Sequence, residues 1–380
     1  MSHPIHFAIL TLTLLTTACR ADGIKPLLVP APSSPLKLHA GNLAAADVNG
    51  DGRDDLIIPS DRNLHVMLSS GDAKATFAPA PGSPVALTEP ANELALGDVN
   101  GDGKLDLAAA GHDSYAVMIL LGDGSGRFAP ATGSPFVARH PGERPHTHGL
   151  ALADFNGDKK LDVLTANQDD GDLALLLGDG AGTFAVARCS PFACGPSPYP
   201  FAVTDLDTDG HLDAIVPNTR SGQVVVLRGD GQANFHTPAA IKVPDGAFFV
   251  AAGDLSGDGK PDVVTSHDDT PILTVLLNDG RGQLAPSATS PLKLGTSAWA
   301  VAVRDMNGDD NADLVAAAKD SIRVLLGDGS GTKFTPAPGS PYPTGKGTWR
   351  LAIGDFNGDK KTDVAATCVE EDKVAILLGT

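Results

Sequence analysis

The chain of 380 residues carries 46 acidic against 28 basic side chains, a net charge of -18, and only 5% of it is aromatic. Such acidity argues against nucleic acid and anionic membrane surfaces as partners, since both repel it. The length alone would allow two average domains, but a repeat consumes nearly everything after residue 40, so one large all-β domain is expected.

Taken in chain order, residues 1–18 read as a signal peptide. The run from Ile5 to Ala18 is apolar, too short to span a bilayer, and ends in small residues, although its N-terminal flank holds His3 and His6 and no Lys or Arg. Thr16-Thr17-Ala18-Cys19 resembles the lipobox of bacterial lipoproteins, in which the cysteine becomes lipidated. Cys19 is therefore the candidate for a lipid anchor, plain secretion being the alternative, and an extracytoplasmic location is expected: secreted, periplasmic or anchored to the cell envelope. Residues 19–23 form a short linker, and residues 24–380 form the repeat domain. Residues 24–38 parallel residues 77–87, the piece that normally ends a repeat, whereas the sequence stops at Leu377-Leu378-Gly379-Thr380, where the last repeat needs that piece. The N-terminal segment is expected to supply the missing outer strand, which closes a ring and removes exposed sheet edges.

Seven loops, about fifty residues apart, punctuate the domain, a period that marks a repeat architecture. Each sets oxygen-bearing side chains at positions 1, 3, 5 and 9, and the backbone carbonyl of position 7 adds another oxygen. The positions are Asp47, Asn49, Asp51, Arg53 and Asp55; Asp98, Asn100, Asp102, Lys104 and Asp106; Asp154, Asn156, Asp158, Lys160 and Asp162; Asp205, Asp207, Asp209, His211 and Asp213; Asp254, Ser256, Asp258, Lys260 and Asp262; Asp305, Asn307, Asp309, Asn311 and Asp313; and Asp355, Asn357, Asp359, Lys361 and Asp363. Loops so lined wrap a hard cation that takes about six to eight oxygens, and calcium fits best. Asp/Asn/Gly turns would account for one or two copies, but not for seven with the ninth-position Asp always present. Nearly half of the 46 acidic residues lie in these loops, so about seven structural calcium ions would offset most of the charge.

Between loops the hydrophobic pattern has period two. One repeat runs Leu94–Asp98, then Leu107–Ala110, Ala116–Leu121 and, after the hairpin at residues 122–126, Phe128–Pro130. Four strands per unit and seven units predict a seven-bladed β-propeller. An unbroken column of Ala44, Ala95, Ala151, Ala202, Ala251, Ala302 and Ala352 stands three residues before each first ligand, where inner strands crowd the axis.

The Asp-x-Asn-x-Asp-Gly-x-x-Asp loops followed by Leu-Leu-Gly-Asp-Gly-x-Gly-x-Phe resemble FG-GAP/VCBS repeats, the units of the integrin α-subunit propeller and of many exported bacterial proteins. The resemblance covers roughly residues 24–380. It implies calcium on one face of the disc and ligands on the other, hence a ligand-binding or adhesion module for an extracellular protein or glycan, here taken as a monomer. It also leaves open a polysaccharide lyase-like enzyme, since some propellers of similar repeats have that activity, or a purely structural envelope module. Lys159, Asp310 and Lys360 depart from the glycine at position 6, and Ser256 from the Asn or Asp at position 3, so weaker binding is expected in those four loops.

Six residues before each first ligand lies a second column, in which His148, Tyr199, Phe248, Trp299 and Trp349 follow Gly41 and Asn92. These rings are ligand candidates at the channel mouth on the face opposite calcium, with packing between blades as the bland alternative. The third repeat is longer, and its extra segment, residues 138–148, contains His140, His146 and His148, which could bind a transition metal or act in acid/base chemistry. The turns at His112-Asp113, residues 167–170 and residues 267–269 share that face. Arg228-Gly229-Asp230 spells an integrin-binding tripeptide but occupies the place of Leu-Gly-Asp in the sister hairpins, so a structural turn is expected. Cys189 and Cys194 are candidates for a small disulfide loop and Cys368 for a buried thiol. No catalytic triad, P-loop or dinucleotide fingerprint is present.

Overall fold

The computed structural model describes residues 25–138, 145–236 and 239–380; the leader, Cys19 and His140 lie outside them. Among the described residues there are strands and turns and no helix, so no helix is long and apolar enough to cross a membrane. Seven antiparallel sheets form a ring, a seven-bladed β-propeller of four-stranded blades.

Blade 2 shows the construction. Its inner strand, Ala91–Gly97, pairs with Asp106–Gly111, which pairs with Ala116–Gly122. The outer strand comes in two pieces, Phe128–Pro130 and Phe136–Val137, both paired to the third strand. The break follows from Pro130 and Pro135, which cannot donate to the ladder. A serine secures the break: the Ser134 hydroxyl accepts the Ile119 N–H at 2.9 Å. Ser34, Ser83, Ser190, Ser290 and Ser340 repeat that bond, at 3.0–3.1 Å, to Ile376, Val66, Leu175, Val275 and Val324. Blade 4 instead has a single outer strand, Ala239–Lys242.

Closure occurs as the duplicated N-terminal segment predicted. Leu28–Pro30 and Leu36–Lys37 pair with Lys373–Gly379, so blade 7 is built from both ends of the repeat domain.

The core is divided into apolar clusters, one at each interface between neighbouring blades. Side chains still alternate in direction along the strands, but burial does not alternate: Asp106–Gly111 is buried throughout. Each blade is sandwiched between two others, so both faces of its middle strands are dry. Members of the alanine column, among them Ala44, Ala202, Ala251, Ala302 and Ala352, pack half-buried against these clusters.

Candidate functional site

Each nine-residue loop joins the inner strand of a blade to the second strand, which puts all seven on one face of the disc. The loops wrap around their first aspartate. Its carboxylate accepts the N–H of position 6 in every copy, from Gly52, Gly103, Lys159, Gly210, Gly259, Asp310 and Lys360, at 2.7–2.9 Å. The position-5 carboxylate accepts the N–H of position 7 in every copy, at 2.8–3.1 Å. Asn49, Asn100, Asn156, Asn307 and Asn357 accept the N–H of position 5, whereas the Ser256 hydroxyl bonds to Asp258 and Asp262.

The departures at position 6 do not change the path of the chain. Lys159, Asp310 and Lys360 are held at φ of 68°, 65° and 63°, in the left-handed region that glycine enters freely. That conformation costs a non-glycine residue about 1–2 kcal/mol, part of which glycine gives back through its larger unfolded-state entropy. Lys159→Gly and Lys360→Gly are each expected to raise stability by ~0.5–1 kcal/mol, read by thermal unfolding in saturating calcium. A loss of stability in both would show that the loops do not impose this backbone.

The ninth-position aspartates are buried, and each carboxylate is held by two backbone N–H groups. Asp363, for example, accepts from Phe356 at 2.9 Å and Gly379 at 2.8 Å, which ties its loop to the end of the third strand. Burial pushes Asp55, Asp162, Asp213, Asp313 and Asp363 up to about 6, and the position-1 and position-5 aspartates of Asp55, Asp162, Asp313 and Asp363 add to the effect. A carboxylate offers about four lone-pair sites, so oxygens bonded to N–H groups can still face a cation.

Loop four displays the fit to a metal most clearly. One oxygen each from Asp205, Asp207 and Asp209 lies within 4.8 Å of the others, and Asp207 Oδ1 is buried without a hydrogen-bond partner. Arg228 Nη1 approaches Asp207 Oδ2 at 3.0 Å, and Arg228 Nη2 donates to the Arg281 carbonyl. Gly229 N–H donates to Asp213, while Asp230 accepts the N–H groups of Gln232 and Asn234. The Arg-Gly-Asp tripeptide is thus committed to structural contacts, Asp230 within its own turn and Arg228 to Asp207 and the Arg281 carbonyl, as expected of a structural turn.

The opposite face carries the ring column. The inner strands of blades 2, 3, 5 and 7 each contain a register shift at its start, between Ala91 and Glu93, Thr147 and Leu150, Ala247 and Val250, and Thr348 and Leu351. Such bulges re-aim side chains. His148 stacks on Tyr199 (4.4 Å between centroids, 13° between planes), Tyr199 meets Phe248 (4.3 Å), Phe248 meets Trp349 (5.6 Å) and Trp349 meets Trp299 (5.3 Å). The five rings are therefore one continuous group. His148 and Phe248 are buried within it, and Tyr199, Trp299 and Trp349 are half-buried.

Beneath the rings lies an ion pair that sequence reasoning missed. Arg350 is 4% exposed, and its Nη2 donates to Glu93 Oε1 at 3.0 Å. Glu93 Oε2 accepts from Asn42 at 3.1 Å. The guanidinium lies over Phe249 and Trp349, at 5.2 and 5.5 Å from their centroids. Asn42, Glu93 and Arg350 help line a cavity of about 250 Å³. A signal existed: five residues before each first ligand, the column contains one Glu and one Arg, and among the inner strands Arg304 is the one further charged side chain.

Of the histidines in the long third repeat, His146 and His148 do converge, and they are joined by His112 of the neighbouring blade. The Cys189–Cys194 disulfide expected from spacing is not formed. Both are free thiols, because Cys194 is buried in the interface between blades 3 and 4 and Cys189 is exposed. Burial pushes the Cys194 thiol up to about 12. Cys368 is a buried thiol, as expected.

Comparison with known proteins accords with this architecture. The FG-GAP-like repeat profile matches residues 47–109, 98–165, 154–216, 205–265, 257–316 and 305–366. No curated protein matches the chain. Among solved structures the chain is similar to BBS1N in complex with ARL6DN, with a TM-score of 0.65, 14% identity, and coverage of 94% of this chain and 98% of the other. It is also similar to an Agrocybe aegerita lectin specific for non-reducing terminal N-acetylglucosamine, with a TM-score of 0.59, 20% identity, and coverage of 86% and 85%. A 6-phosphogluconolactonase-like protein of Bacteroides uniformis gives a TM-score of 0.58 at 13% identity, with coverage of 80% and 86%. At these identities the likeness extends to the fold alone. With its repeats matched from residue 47 to residue 366 and its blades closed into a ring, the chain belongs to the FG-GAP-like repeat family.

Proposed function

We propose that this chain is an exported ligand-binding propeller in which calcium holds the loop face together and the opposite face takes up a glycan. The observation that carries the proposal is the continuous group of five rings at the channel mouth, in a chain with only 5% aromatic residues. Tyr199, Trp299 and Trp349 offer partly exposed rings on which the apolar face of a sugar can stack. The calcium part rests on the seven recurring oxygen sets and on the orphaned Asp207 oxygen. The positions that would hold the ions are 1, 3, 5, 7 and 9 of each loop, and the ions would supply positive charge to buried carboxylates. Export suits this reading, because calcium outside the cytoplasm is plentiful enough to fill sites of modest affinity. The lectin of the same fold, although remote in sequence, is a precedent for sugar recognition by such a disc.

A glycan array probed with the calcium-loaded protein should return binders. Trp299→Ala and Trp349→Ala should each weaken them about tenfold, the worth of one stacking contact. An array without binders, or binding indifferent to both substitutions in folded protein, would remove the aromatic mouth from consideration and leave protein adhesion as the reading to pursue.

A further inference from the structure

We propose that His112, His146 and His148 form a three-histidine site for a zinc-class transition metal ion, distinct from the seven oxygen-lined loops and on the opposite face of the disc. His146 Nε2 lies 3.1 Å from His112 Nε2 and 3.0 Å from His148 Nε2. For tetrahedral zinc with bonds of about 2.0–2.1 Å, neighbouring ligand nitrogens stand about 3.3 Å apart. The rings are splayed rather than stacked, with interplanar angles of 71°, 89° and 58° and centroids 4.6–5.0 Å apart. Three imidazoles pointing at one centre adopt this arrangement.

The outward-facing nitrogens say which edge of each ring is free. His112 Nδ1 is 2.7 Å from Asp113 Oδ1, and His146 Nδ1 is 3.6 Å from Asp169 Oδ2. A carboxylate only accepts, so His112 Nδ1 carries the proton and the Nε2 of that ring, when neutral, presents a lone pair; Asp169, too far for a hydrogen bond, favours the same tautomer of His146 by its charge. Two such lone pairs 3.1 Å apart repel unless a proton or a metal ion lies between them. Asn92 Nδ2 lies 3.1 Å from His148 Nδ1 and donates to the Thr147 carbonyl at 3.4 Å, so in the metal-free site Nδ1 accepts and Nε2–H points at His146 Nε2; an ion at the centre takes the place of that proton, which moves to Nδ1 as the Asn92 amide turns over. Asp113, Asp169 and Asn92 then act as the outer supports that orient metal-bound histidines.

The backbone around the site is fixed. Thr147 N–H donates to the His112 carbonyl at 2.9 Å, Thr147 Oγ1 donates to the Ser114 carbonyl at 2.9 Å, and Gln168 N–H donates to the His146 carbonyl at 2.8 Å. These bonds lock the turn of blade 2 against the inner strand of blade 3. The His112 and His146 side chains are 39% and 29% exposed, which leaves an entry path from solvent. Three nitrogen ligands leave a fourth position for water or a ligand group. Because His148 also stacks on Tyr199, an ion here adjoins the aromatic mouth. The inference stands on the histidine geometry and does not require that a glycan binds.

The test is calorimetric titration of the full-length protein with zinc chloride in a large excess of calcium, which keeps the oxygen-lined loops filled. One zinc per chain is expected. His112→Ala and His146→Ala should each abolish it, His39→Ala should leave it intact, and Asp113→Asn should weaken it about tenfold or more through loss of the orienting carboxylate. Titration with cobalt(II) gives a second reading on the unaltered protein. Intense visible bands of a low-coordinate nitrogen site are expected, with competition by zinc. Stoichiometric zinc uptake that survives the His112→Ala/His146→Ala double substitution, no uptake, or the weak spectrum of a six-coordinate oxygen site would each overturn the proposal.

Discussion

Excess chelator is expected to lower the melting temperature of this protein by roughly 20 °C. With an extracellular-type Kd of ~0.1 mM and ~1 mM free calcium, each filled loop adds ~1.4 kcal/mol by mass action. Seven loops together give about 10 kcal/mol, comparable with the whole net stability of a typical domain. For a chain this long, each kcal/mol moves the midpoint by about 2 °C. The loops also explain why emptiness is costly. Each gathers three or four acidic side chains, and the innermost is buried: Asp363, for instance, is pushed up to about 6 first by desolvation and then further by Asp359 and Asp355. A divalent cation reverses both effects. Calorimetry in calcium and in EDTA measures the difference directly, and superimposable melting curves would refute calcium as the ion that fastens the blades.

Glu93→Leu is expected to cost ~3–5 kcal/mol, because it strands the Arg350 guanidinium where water does not reach. Arg350 is already under-satisfied, with Nε and Nη1 lacking protein partners, so Glu93 is its principal source of compensation. Arg350→Met is expected to cost a similar amount, since Glu93 would keep only Asn42. The double replacement should recover most of the loss, because removing both charges also removes both desolvation penalties. A double-mutant cycle by urea unfolding in saturating calcium reports the coupling. Glu93→Leu within ~0.5 kcal/mol of the parent, the usual range for exposed positions, would mean that the pair is not desolvated. The cycle also bears on the ring group, because the Arg350 guanidinium lies over Trp349. A loosened Arg350 should therefore disturb the stack from Trp349 to Phe248.

The fold was legible in the chain because its information is local and repeated. Asp98 to Asp106 and its six copies mark where every inner strand ends, and residues 24–38 mark the strand that closes the ring. Period and register survive because strands of one blade are near neighbours in sequence. The ring column was legible for the same reason, since one offset from each loop generates it.

Contacts between blades were not legible, and these are what the tertiary structure decided. Glu93 and Arg350 are 257 residues apart, and only closure of the disc brings them together across its centre. His112 belongs to a turn of blade 2 and reaches His146 and His148 because Thr147 pins that turn, while His140, nearer in sequence, lies outside the described residues. The cysteine spacing suggested a bridge that blade packing forbids, since Cys194 is committed to the interface with blade 4. Sequence by itself determined the number of blades, the seven oxygen sets and the closing strand, since each depends on residues within one repeat or its duplicate. The buried charge pair, the shape of the ring group and the histidine triad depend on how side chains of different blades meet once the ring is closed, a property of no single repeat.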